Sequence, residues 1–587
     1  MEKPATSGAR ARPSARVWAT ALAALVPAGV AATHLPIVAD AAHDTATVRV
    51  LGLAPAGVLR ALDAVVAAAI VPIPMGTRAW RASFASTLCL ALAAALMFSV
   101  AERRSRLGAT AARAPGVFAA LVVACFGALA PALQLEATSP GGATLGLLLA
   151  LLPRALAMRG ASLARVALCL GLAFAYEPLV GLLALAASGA ALHARRATLP
   201  RSFAGLVPLA AAFLAGFAPL LGALALTHPA RGAVFVDVLG EHWGPSHAPL
   251  AFAVEQLGVV GLGLAIGGLG VALASPALRT AGASSLVVVA ICAAAIFKGS
   301  ALGPDRYGAP ALMAVTECAL LVATAIGSAV AFVRETKVAY AQASGSLLML
   351  MLAAMPARQA DDALVRFATK QGAPERAFAA LAWEHLPLGA LVLVAGDELA
   401  LRVASARAQG DVRGDVLFVT MRDRAVLSLL AREPRLAPLL RDQSLYGAPE
   451  EWSLSALAAA RPLALSFDAA WPRPLSRHLV PAGIFDRFYA EPRGLSDRGA
   501  ALDAQHDDRA ALVRALTRAA APEVARAVAA GYRARLIGAA ASGDRDIAGR
   551  VLEDLRHVAP ADPVAFDVAR RLVGVRGAID VSDLKGR

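Results

Sequence analysis

Charged and aromatic residues are scarce in this chain of 587 residues, in which 17% are charged and 5% are Phe, Trp or Tyr. Soluble proteins average about 25% charged residues, so the composition excludes an ordinary soluble enzyme. The hydrophobic share is 58% and, with so few aromatics, consists mainly of Ala, Leu and Val. These residues favour helices packed in lipid over a β-sandwich core.

Cysteine is also rare, and its positions exclude a disulfide framework. The five cysteines all lie in or beside apolar stretches of the first 357 residues, and no CxxC pair suggests a metal site. A Walker loop is missing as well, so ATP-driven transport is not indicated. The glycine-rich segment 258–270 is predicted to be a packing surface within a span rather than a nucleotide fingerprint.

The distribution of charge divides the chain into two parts. Residues 1–357 carry 24 Lys+Arg and 13 Asp+Glu, whereas residues 358–587 carry 32 and 29. This predicts a membrane domain followed by a soluble one. The net charge of +14 lies mostly in short basic clusters between apolar runs, which positive-inside topology explains better than nucleic-acid binding does.

At about 20 apolar residues per crossing, the chain is predicted to have eleven spans. They cover 17–39, 79–100, 115–133, 143–158, a two-span hairpin over 163–192, 203–226, 250–274, 284–299, 309–333 and 341–357. Glu177 and Pro178 form the tip of the hairpin. With the basic segment 1–16 in the cytoplasm, nearly every basic cluster falls on that side, and the odd count places the C-terminal domain outside.

One basic stretch lies on the opposite side, in the predicted outer loop 40–78. Its length allows an interfacial element, with segment 58–70 as an amphipathic to apolar helix on the membrane surface. In the soluble part, strand patterns over 389–398, 414–423 and 461–468 alternate with helices, which predicts an α/β domain over 358–500. The tail 501–587 is predicted to be helical, and within it 543–572 fits a tetratricopeptide-like unit or a plain helical hairpin.

Charged side chains near a bilayer are informative, because each costs about 2.5–3.5 kcal/mol at a helix centre. In the membrane part they cluster at predicted outer helix ends: Asp40, His43, Asp44, Glu136, Glu177, Asp237, Glu241, His242, His247, Lys298, Asp305, Arg306 and Tyr307. The pattern predicts a polar cavity on the outer face. For any single residue the alternative is a loop position that contacts water.

Asp40 follows the first span, and Leu51-Gly52-Leu53-Ala54-Pro55-Ala56-Gly57 comes eleven residues later, before the amphipathic segment. This order resembles the GT-C membrane glycosyltransferases, and is most similar to the bacterial family of unknown function related to eukaryotic protein O-mannosyltransferases. Segments 72–96, 386–420, 460–467 and 479–488 resemble further family segments in the same order. The chain departs from the pattern at His43, where the family has Glu, and within 54–57, which lacks a His and a Pro.

The resemblance implies transfer of a sugar from a polyprenyl-phosphate-linked donor to a protein or glycan acceptor at the outer face of a bacterial inner membrane. Asp40 is then the catalytic base. Lys298 and Arg306 are the donor-phosphate ligands, although Arg306 also fits an interfacial anchor. The remaining candidates lining the cavity are His43, Asp44, Glu177 and Tyr307, of which Glu177 also fits a turn cap. No metal ligand and no certain cofactor is predicted, and a divalent metal stays open.

The alternative is a catalytically inactive relative, or a lipid or solute carrier whose extracytoplasmic domain binds partners. The departures at His43 and Ala54 favour this alternative. The presence of Asp40, Lys298 and Arg306 favours transfer. In both cases the expected partners include membrane lipid and exclude nucleic acid.

Overall fold

The computed structural model describes a mostly helical protein. The described residues are 15–35, 50, 60–70, 72–107, 113–198, 200, 202–227, 248–298, 307–335, 354–361, 373–394, 413, 415–420, 451–466, 473–518, 522–573 and 577–581. The chain forms two compact units, one mainly in residues up to Ala368 and one mainly in Thr369–Arg587.

The first unit contains twelve named helices within the described residues. They are α1 (Ala15–Ala32), α2 (Ala61–Ile70), α3 (Arg78–Leu107), α4 (Arg113–Ala128), α5 (Pro131–Thr138), α6 (Thr144–Met158), α7 (Leu163–Tyr176), α8 (Pro178–Ala194), α9 (Phe203–Thr227), α10 (Pro249–Ala274), α11 (Arg279–Lys298) and α12 (Ala309–Glu335). A short 3-10 helix follows α8 over Arg196–Thr198, and residues 354–361 are also helical.

Six of these helices are long and apolar enough to cross a membrane, judged by length and composition among the described residues. They lie within Ala15–Ala32, Arg78–Ser105, Phe203–Gly222, Pro249–Ala274, Arg279–Lys298 and Ala309–Val330. The prediction of a multi-pass helical membrane protein is therefore confirmed. The predicted eleventh span, 341–357, lies mostly outside the described residues.

Two predicted spans differ from the helices in detail, and a third stretch is divided as predicted. The stretch 115–133 is broken, since α4 and α5 meet at an angle of 63°, because Pro131 lacks the amide hydrogen that a continuous helix would use. The stretch 163–192 is divided at Glu177 as expected, and α7 packs against α8. The first span was predicted to reach Ala39, but α1 ends at Ala32, shortly before Pro36.

Small residues let these helices approach closely. A Cβ added to Gly268 in α10 would lie 2.0 Å from the carbonyl oxygen of Leu321 in α12, so only glycine fits there. Gly268 and Gly261 thus lie at helix contacts, whereas a Cβ added at Gly258, Gly263, Gly267 or Gly270 would meet nothing within 4 Å, so only part of the segment 258–270 is a packing surface. The buried core of the unit is correspondingly rich in alanine and leucine, with Met97, Phe98 and Tyr176 among its largest fully buried side chains.

The second unit contains a five-stranded sheet and helices before and after it. The strands are β1 (Leu391–Val394), β2 (Leu417–Thr420), β3 (Leu463–Leu465), β4 (Leu479–Ala482) and β5 (Phe485–Phe488), in the order β2-β1-β3-β5-β4. β1 pairs in parallel with β2 and β3, and β5 pairs antiparallel with β3 and β4. The predicted small sheet is confirmed, with β4 and β5 joined through Gly483, whose φ of +70° suits glycine.

The helices of this unit are α13 (Ala373–Trp383), α14 (Glu451–Ala460), α15 (Leu495–Ala504), α16 (His506–Arg518), α17 (Pro522–Ser542), α18 (Arg545–Val558) and α19 (Pro563–Leu572). A 3-10 helix over Arg473–His478 precedes β4. The predicted helix, turn and helix over 543–572 correspond to α18 and α19. Asp562 caps α19, because its carboxylate accepts hydrogen bonds from the amides of Val564 and Ala565.

Candidate active site

The predicted site residues fall into two groups. Asp40, His43, Asp44 and Arg306 lie outside the described residues. Of the described candidates, Lys298 is the exposed last residue of α11, while Glu177 and Tyr307 belong to the buried polar region described next.

A buried arginine that the sequence analysis did not select is at the centre of this region. Arg60 immediately precedes α2 and is 8% exposed. Its Nη2 lies 2.8 Å from Oδ2 of Asp63 and donates to the carbonyl oxygen of Gly141 at 2.7 Å. Its Nε donates to the hydroxyl of Tyr176 at 2.8 Å. These contacts connect α2, the end of α7 and the turn between α5 and α6.

Tyr176 links the cation to the carboxylate. Its hydroxyl accepts from Arg60 and donates to Oδ2 of Asp63 at 3.1 Å. The side chain is fully buried, and the guanidinium carbon of Arg60 lies 5.5 Å from the centre of its ring. Asp63 is thus held by both partners, an arrangement that fixes the carboxylate rather than leaving it mobile.

Glu136 of α5 is fully buried and connects the same turn to the start of α12. Its Oε2 accepts from the amide of Ala143 at 2.9 Å, and its Oε1 accepts from the amide of Tyr307 at 2.8 Å. The ring of Tyr307 lies 5.4 Å from that of Phe252. Tyr307 therefore reaches this region through its backbone amide.

Glu177 lies between α7 and α8 and is 7% exposed. It occupies the N-cap position of α8, but its side chain makes no capping hydrogen bond, so the turn-cap role is not supported. Its negative charge acts on Arg60 together with that of Glu136. We call Arg60, Asp63, Glu136, Tyr176 and Glu177 the Arg60 cluster.

The Arg60 cluster contains three carboxylates and one cation. Burial alone would lower the pKa of the Arg60 guanidinium, but Asp63, Tyr176, Glu177 and Glu136 together hold that pKa above its ordinary value. Arginine keeps its proton in proteins, so the Arg60 guanidinium carries a positive charge. A charge in a unit of apolar helices requires such partners, since isolated buried charges are very costly.

Two features of Arg60 indicate a functional rather than a purely structural role. Its φ is +59°, a left-handed conformation that costs a non-glycine residue on the order of 1 kcal/mol and that concentrates at functional sites. The backbone is held there by a hydrogen bond from its amide to the carbonyl oxygen of Tyr176, at 2.9 Å. In addition, the buried Nη1 atom has no hydrogen-bond partner among the residues that the structure describes, which leaves a cationic donor available to a ligand.

Arg60 and Asp63 were not predicted as site residues, although their spacing in the sequence indicates a pair. Arg60 and Asp63 are three positions apart in a segment that is otherwise apolar, the spacing of two neighbours on one helix face. The interpretation of 58–70 as a surface helix implied that both would face water or lipid head groups. Both are instead buried, because Tyr176 and Gly141 supply the hydrogen bonds that replace water. Among the described residues no group of three His, Cys, Asp or Glu side chains is arranged to hold a metal ion.

No protein-family model and no curated protein matches the chain. Among solved structures the chain is similar to ArnT from Cupriavidus metallidurans bound to undecaprenyl phosphate, with a TM-score of 0.46 and 14% sequence identity. This similarity covers 77% of the chain and 94% of ArnT. The apo state of the same protein gives a TM-score of 0.45 and 13% identity, with coverage of 77% and 94%.

Proposed function

We propose that the chain is a membrane glycosyltransferase that moves a sugar from a polyprenyl-phosphate-linked donor to an acceptor on the outer face. The resemblance of its ordered sequence segments to the GT-C enzymes supports this proposal. The observation that carries it is the Arg60 cluster. Arg60 supplies a strained, charged guanidinium with a spare N–H donor for the phosphate of a lipid-linked substrate, and its contacts with Asp63 and Tyr176 hold it in place.

The chemistry requires a base and cations. The acceptor hydroxyl oxygen forms a bond to the anomeric carbon of the sugar, the bond from that carbon to the phosphate oxygen breaks, and the lipid phosphate leaves. Asp40 takes the hydroxyl proton in this proposal. Lys298 and Arg306 stabilise the departing phosphate, and Arg60 adds a third cation with a free donor atom.

The remaining candidates have positioning roles. Glu136 fixes the start of α12 through the amide of Tyr307, one residue after Arg306. Asp63 and Tyr176 fix the guanidinium of Arg60. Glu177, His43, Asp44 and Tyr307 would line the cavity that admits the acceptor. The described residues give no reason to place a metal ion in this site. The transfer assay should therefore be run both with and without a divalent metal ion.

The primary test is transfer of radiolabelled sugar from defined polyprenyl-phosphate sugars in membranes that contain the full-length chain. Asp40→Asn keeps the size of the side chain but removes the basic oxygen, so the rate should fall roughly 10²–10⁴-fold at equal abundance. If Asp40→Asn transfers sugar at the wild-type rate, Asp40 is not the base. If no donor is used although the chain is folded and abundant, the carrier alternative, favoured by the departures at His43 and Ala54, replaces this proposal.

Substitutions of Arg306 and Arg60 should reduce transfer by different amounts in the same assay. Arg306→Ala should weaken donor use by removing a charge-assisted contact worth about 1.5–3 kcal/mol. Arg60→Gln should lower transfer further, because it also leaves Asp63 without its cation. Arg279→Gln is the matched control, since Arg279 is exposed at the start of α11. Equal activity in Arg60→Gln and wild type would remove the Arg60 cluster from the mechanism.

The topology in this proposal places the N-terminus in the cytoplasm and residues 358–587 outside it, in the bacterial inner membrane. Alkaline phosphatase fused after Arg358 should be active, whereas the same reporter fused at Lys337 should be inactive. The reverse pattern at both fusion points would contradict the topology, and with it the outer-face site.

A further inference from the structure

Three arginines around the β4–β5 hairpin differ from other arginines of the C-terminal unit. Seven arginines in the described part of this unit form ion pairs with aspartates. Arg477, Arg487 and Arg493 form no ion pair with any residue that the structure describes. Residues 358–587 carry 32 Lys+Arg and 29 Asp+Glu, so acidic residues are not scarce in this part of the chain. Unpaired guanidiniums gathered in one place indicate an anionic partner outside the unit.

Backbone pairing and one aromatic ring bring the three arginines together. Arg477 lies just before β4, Arg487 lies in β5, and Arg493 lies two residues before α15. The amide of Arg493 donates to the carbonyl oxygen of Arg477 at 2.9 Å, which continues the pairing beyond the ends of β4 and β5. The guanidinium carbons of Arg487 and Arg493 lie over the ring of Tyr489, at 4.7 Å and 4.2 Å from its centre. We call Arg477, Arg487, Tyr489, Arg493 and Leu495 the Tyr489 patch.

Stacking on the ring leaves the edges of the guanidiniums available. A guanidinium that lies with its face on an aromatic ring keeps its N–H donors, which point outward in its own plane, for a phosphate or a carboxylate. Arg477 and Arg493 are exposed, and Arg487 is partly exposed. Two like charges held over one ring also repel each other, and a bound anion would relieve that repulsion. The Tyr489 patch is therefore suited to bind oxyanions.

Two exposed carboxylates lie in the same stretch but do not use these donors. Glu491 and Asp497 form no ion pair with the arginines of the Tyr489 patch. Asp497 lies in the first turn of α15, where the helix dipole stabilises a negative charge. The guanidinium donors therefore stay unused by the part of the unit that the structure describes.

An apolar side chain beside the arginines favours a bilayer surface over a soluble acidic partner. Leu495 is 60% exposed and follows Arg493 by two positions. Ala490 and Pro492 are exposed in the same stretch. Basic side chains next to exposed apolar ones are the combination that binds anionic membrane surfaces. The first unit contains the membrane helices, so the chain itself keeps the C-terminal unit near a bilayer at a high effective concentration.

We propose that the Tyr489 patch binds the phosphates of anionic phospholipids at the bilayer surface. Arg477, Arg487 and Arg493 contact phosphate groups, and Leu495 enters the head-group region. The C-terminal unit is then held at the membrane by a contact of its own, besides its covalent connection to the first unit. This inference goes beyond the proposed transfer reaction and does not depend on it, because it uses neither the Arg60 cluster nor a sugar donor.

Hydrogen exchange of the full-length chain in lipid nanodiscs tests the proposal. One set of discs contains phosphatidylcholine alone, and the other contains equal parts of phosphatidylcholine and phosphatidylglycerol. Exchange in segment 489–497, corrected for the intrinsic rates, should be slower in the anionic discs by at least about threefold. High salt should remove most of this difference, because it screens surface charge. Equal exchange in both kinds of disc would overturn the proposal.

Charge variants locate the contact. The double substitution Arg487→Gln with Arg493→Gln should abolish the difference between the discs. Arg556→Gln is the matched control and should leave the difference unchanged, since Arg556 is an exposed arginine of α18 outside the patch. Exchange in α17 reports whether each variant is folded, and Arg493→Gln alone repeats the test if the double variant is not. A difference that persists in the folded charge variant, or an equal loss in Arg556→Gln, would show that the patch is not the contact.

Two further measurements distinguish a bilayer surface from a soluble acidic partner. Leu495→Ser keeps every charge and removes the apolar contact, so it should reduce the difference between the discs by at least about twofold. Polyglutamate added to the phosphatidylcholine discs should slow exchange in segment 489–497 less than phosphatidylglycerol does. If polyglutamate slows it equally, or if Leu495→Ser leaves the difference unchanged, the patch binds acidic chains rather than a bilayer surface and the proposal is wrong.

Discussion

The two units of the molecule present different surfaces. Large hydrophobic side chains are exposed along many helices of the first unit, for example Trp18 at 60%, Phe203 at 84% and Val259 at 76%. Among the described residues after Ala368, only four large hydrophobic side chains are exposed: Leu388, Leu495, Phe566 and Val573. A contiguous apolar exterior is unfavourable in water and favourable in lipid. The exposed surface therefore distinguishes the two units more directly than the cores do.

The two units also bury charge in different ways. In the membrane unit one carboxylate, Glu317, is shared by Arg104, Arg154 and the hydroxyl of Ser285. In the C-terminal unit Asp486 lies 3.1 Å from Nε of Arg535, which also donates to backbone carbonyls at the turn between β4 and β5. The first arrangement links helices deep in an apolar bundle, and the second attaches α17 to a hairpin. Removing a charge should accordingly cost more in the membrane unit.

The largest difference that we expect is in solubility. Residues 369–587 expressed alone should be soluble without detergent and unfold cooperatively, because about 220 residues suffice for an independent core and no disulfide is needed. Residues 1–368 should require detergent. Circular dichroism and size-exclusion chromatography of both fragments measure this difference. An aggregated or unfolded C-terminal fragment would mean that the second unit depends on the first.

The second largest effect that we expect is the loss of stability when the carboxylate of Glu317 is removed. Glu317→Gln leaves Arg104 and Arg154 buried without their counter-charge and should lower the free energy of unfolding by about 3–5 kcal/mol. Thermal unfolding in detergent, followed by a thiol-reactive fluorophore, measures this, because four of the five cysteines are buried in the folded chain and the fifth is partly so. Glu255→Gln, at an exposed position of α10, is the control and should change stability by less than about 0.5 kcal/mol.

If Glu317→Gln unfolds at the same temperature as the control, the three charged side chains do not stabilise the bundle. Removing a buried charge would then not cost more in the membrane unit than in the C-terminal unit. A similar loss in Ser285→Ala would instead assign the effect to the hydroxyl rather than to the ionic contacts.

Much of this architecture follows from patterns that are local in the sequence. Apolar length predicts the membrane helices, Glu177-Pro178 predicts the break between α7 and α8, and the runs at 389–398, 414–423 and 461–468 predict β1, β2 and β3. Each of these signals depends on residues within one element. The break between α4 and α5 was missed, although Pro131 was a local signal, because the flanking apolar residues resembled one continuous span.

The candidate site could be predicted only in part, for a physical reason. Glu136 and Glu177 were selected as charged residues at helix ends, and the structure places both in the Arg60 cluster. Arg60 was assigned to a surface helix because an amphipathic pattern does not reveal that Tyr176 and Gly141, distant in sequence, will replace water around the guanidinium. Burial of a charge depends on such long-range partners, and a single sequence contains no record of them.

A smaller loss is expected from Asp486→Ala in the C-terminal unit. This substitution removes both side-chain oxygens, leaves the buried guanidinium of Arg535 with only its backbone carbonyl partners and should destabilise the unit by about 1–3 kcal/mol. Hydrogen exchange of the β5 amides in the full-length chain measures it. Asp567→Ala is the control, since Asp567 pairs at 3.4 Å with the exposed Arg570 and such pairs contribute little. Equal exchange rates in both variants would show that the Asp486–Arg535 contact does not hold the hairpin.

The smallest effect that we expect is a pH dependence of the C-terminal unit. Burial raises the pKa values of Asp486, Asp544 and Asp554, although nearby arginines oppose this shift in each case. The folded state therefore binds protons at these groups more readily than the unfolded state does. Their contribution to stability is fully present below the ordinary aspartate pKa and is lost as the pH rises through the raised values. The hydrogen bond from Arg413 holds the pKa of Asp415 low, and its contribution changes in the opposite sense, being lost as the pH falls.

Because three carboxyl groups act in one direction and Asp415 is exposed, acidification from neutral pH toward the ordinary aspartate pKa should slow hydrogen exchange in β5 and α18 after correction for the intrinsic rates. Asp554→Asn, which removes one of the three groups from its contact with Arg509 at 2.6 Å, should reduce this pH dependence. Asp567→Asn, at the partly buried partner of the exposed Arg570, should leave the dependence unchanged. Faster corrected exchange on acidification of the wild-type chain would mean that the arginine partners outweigh burial, so that these carboxylates stabilise the unit in their charged form.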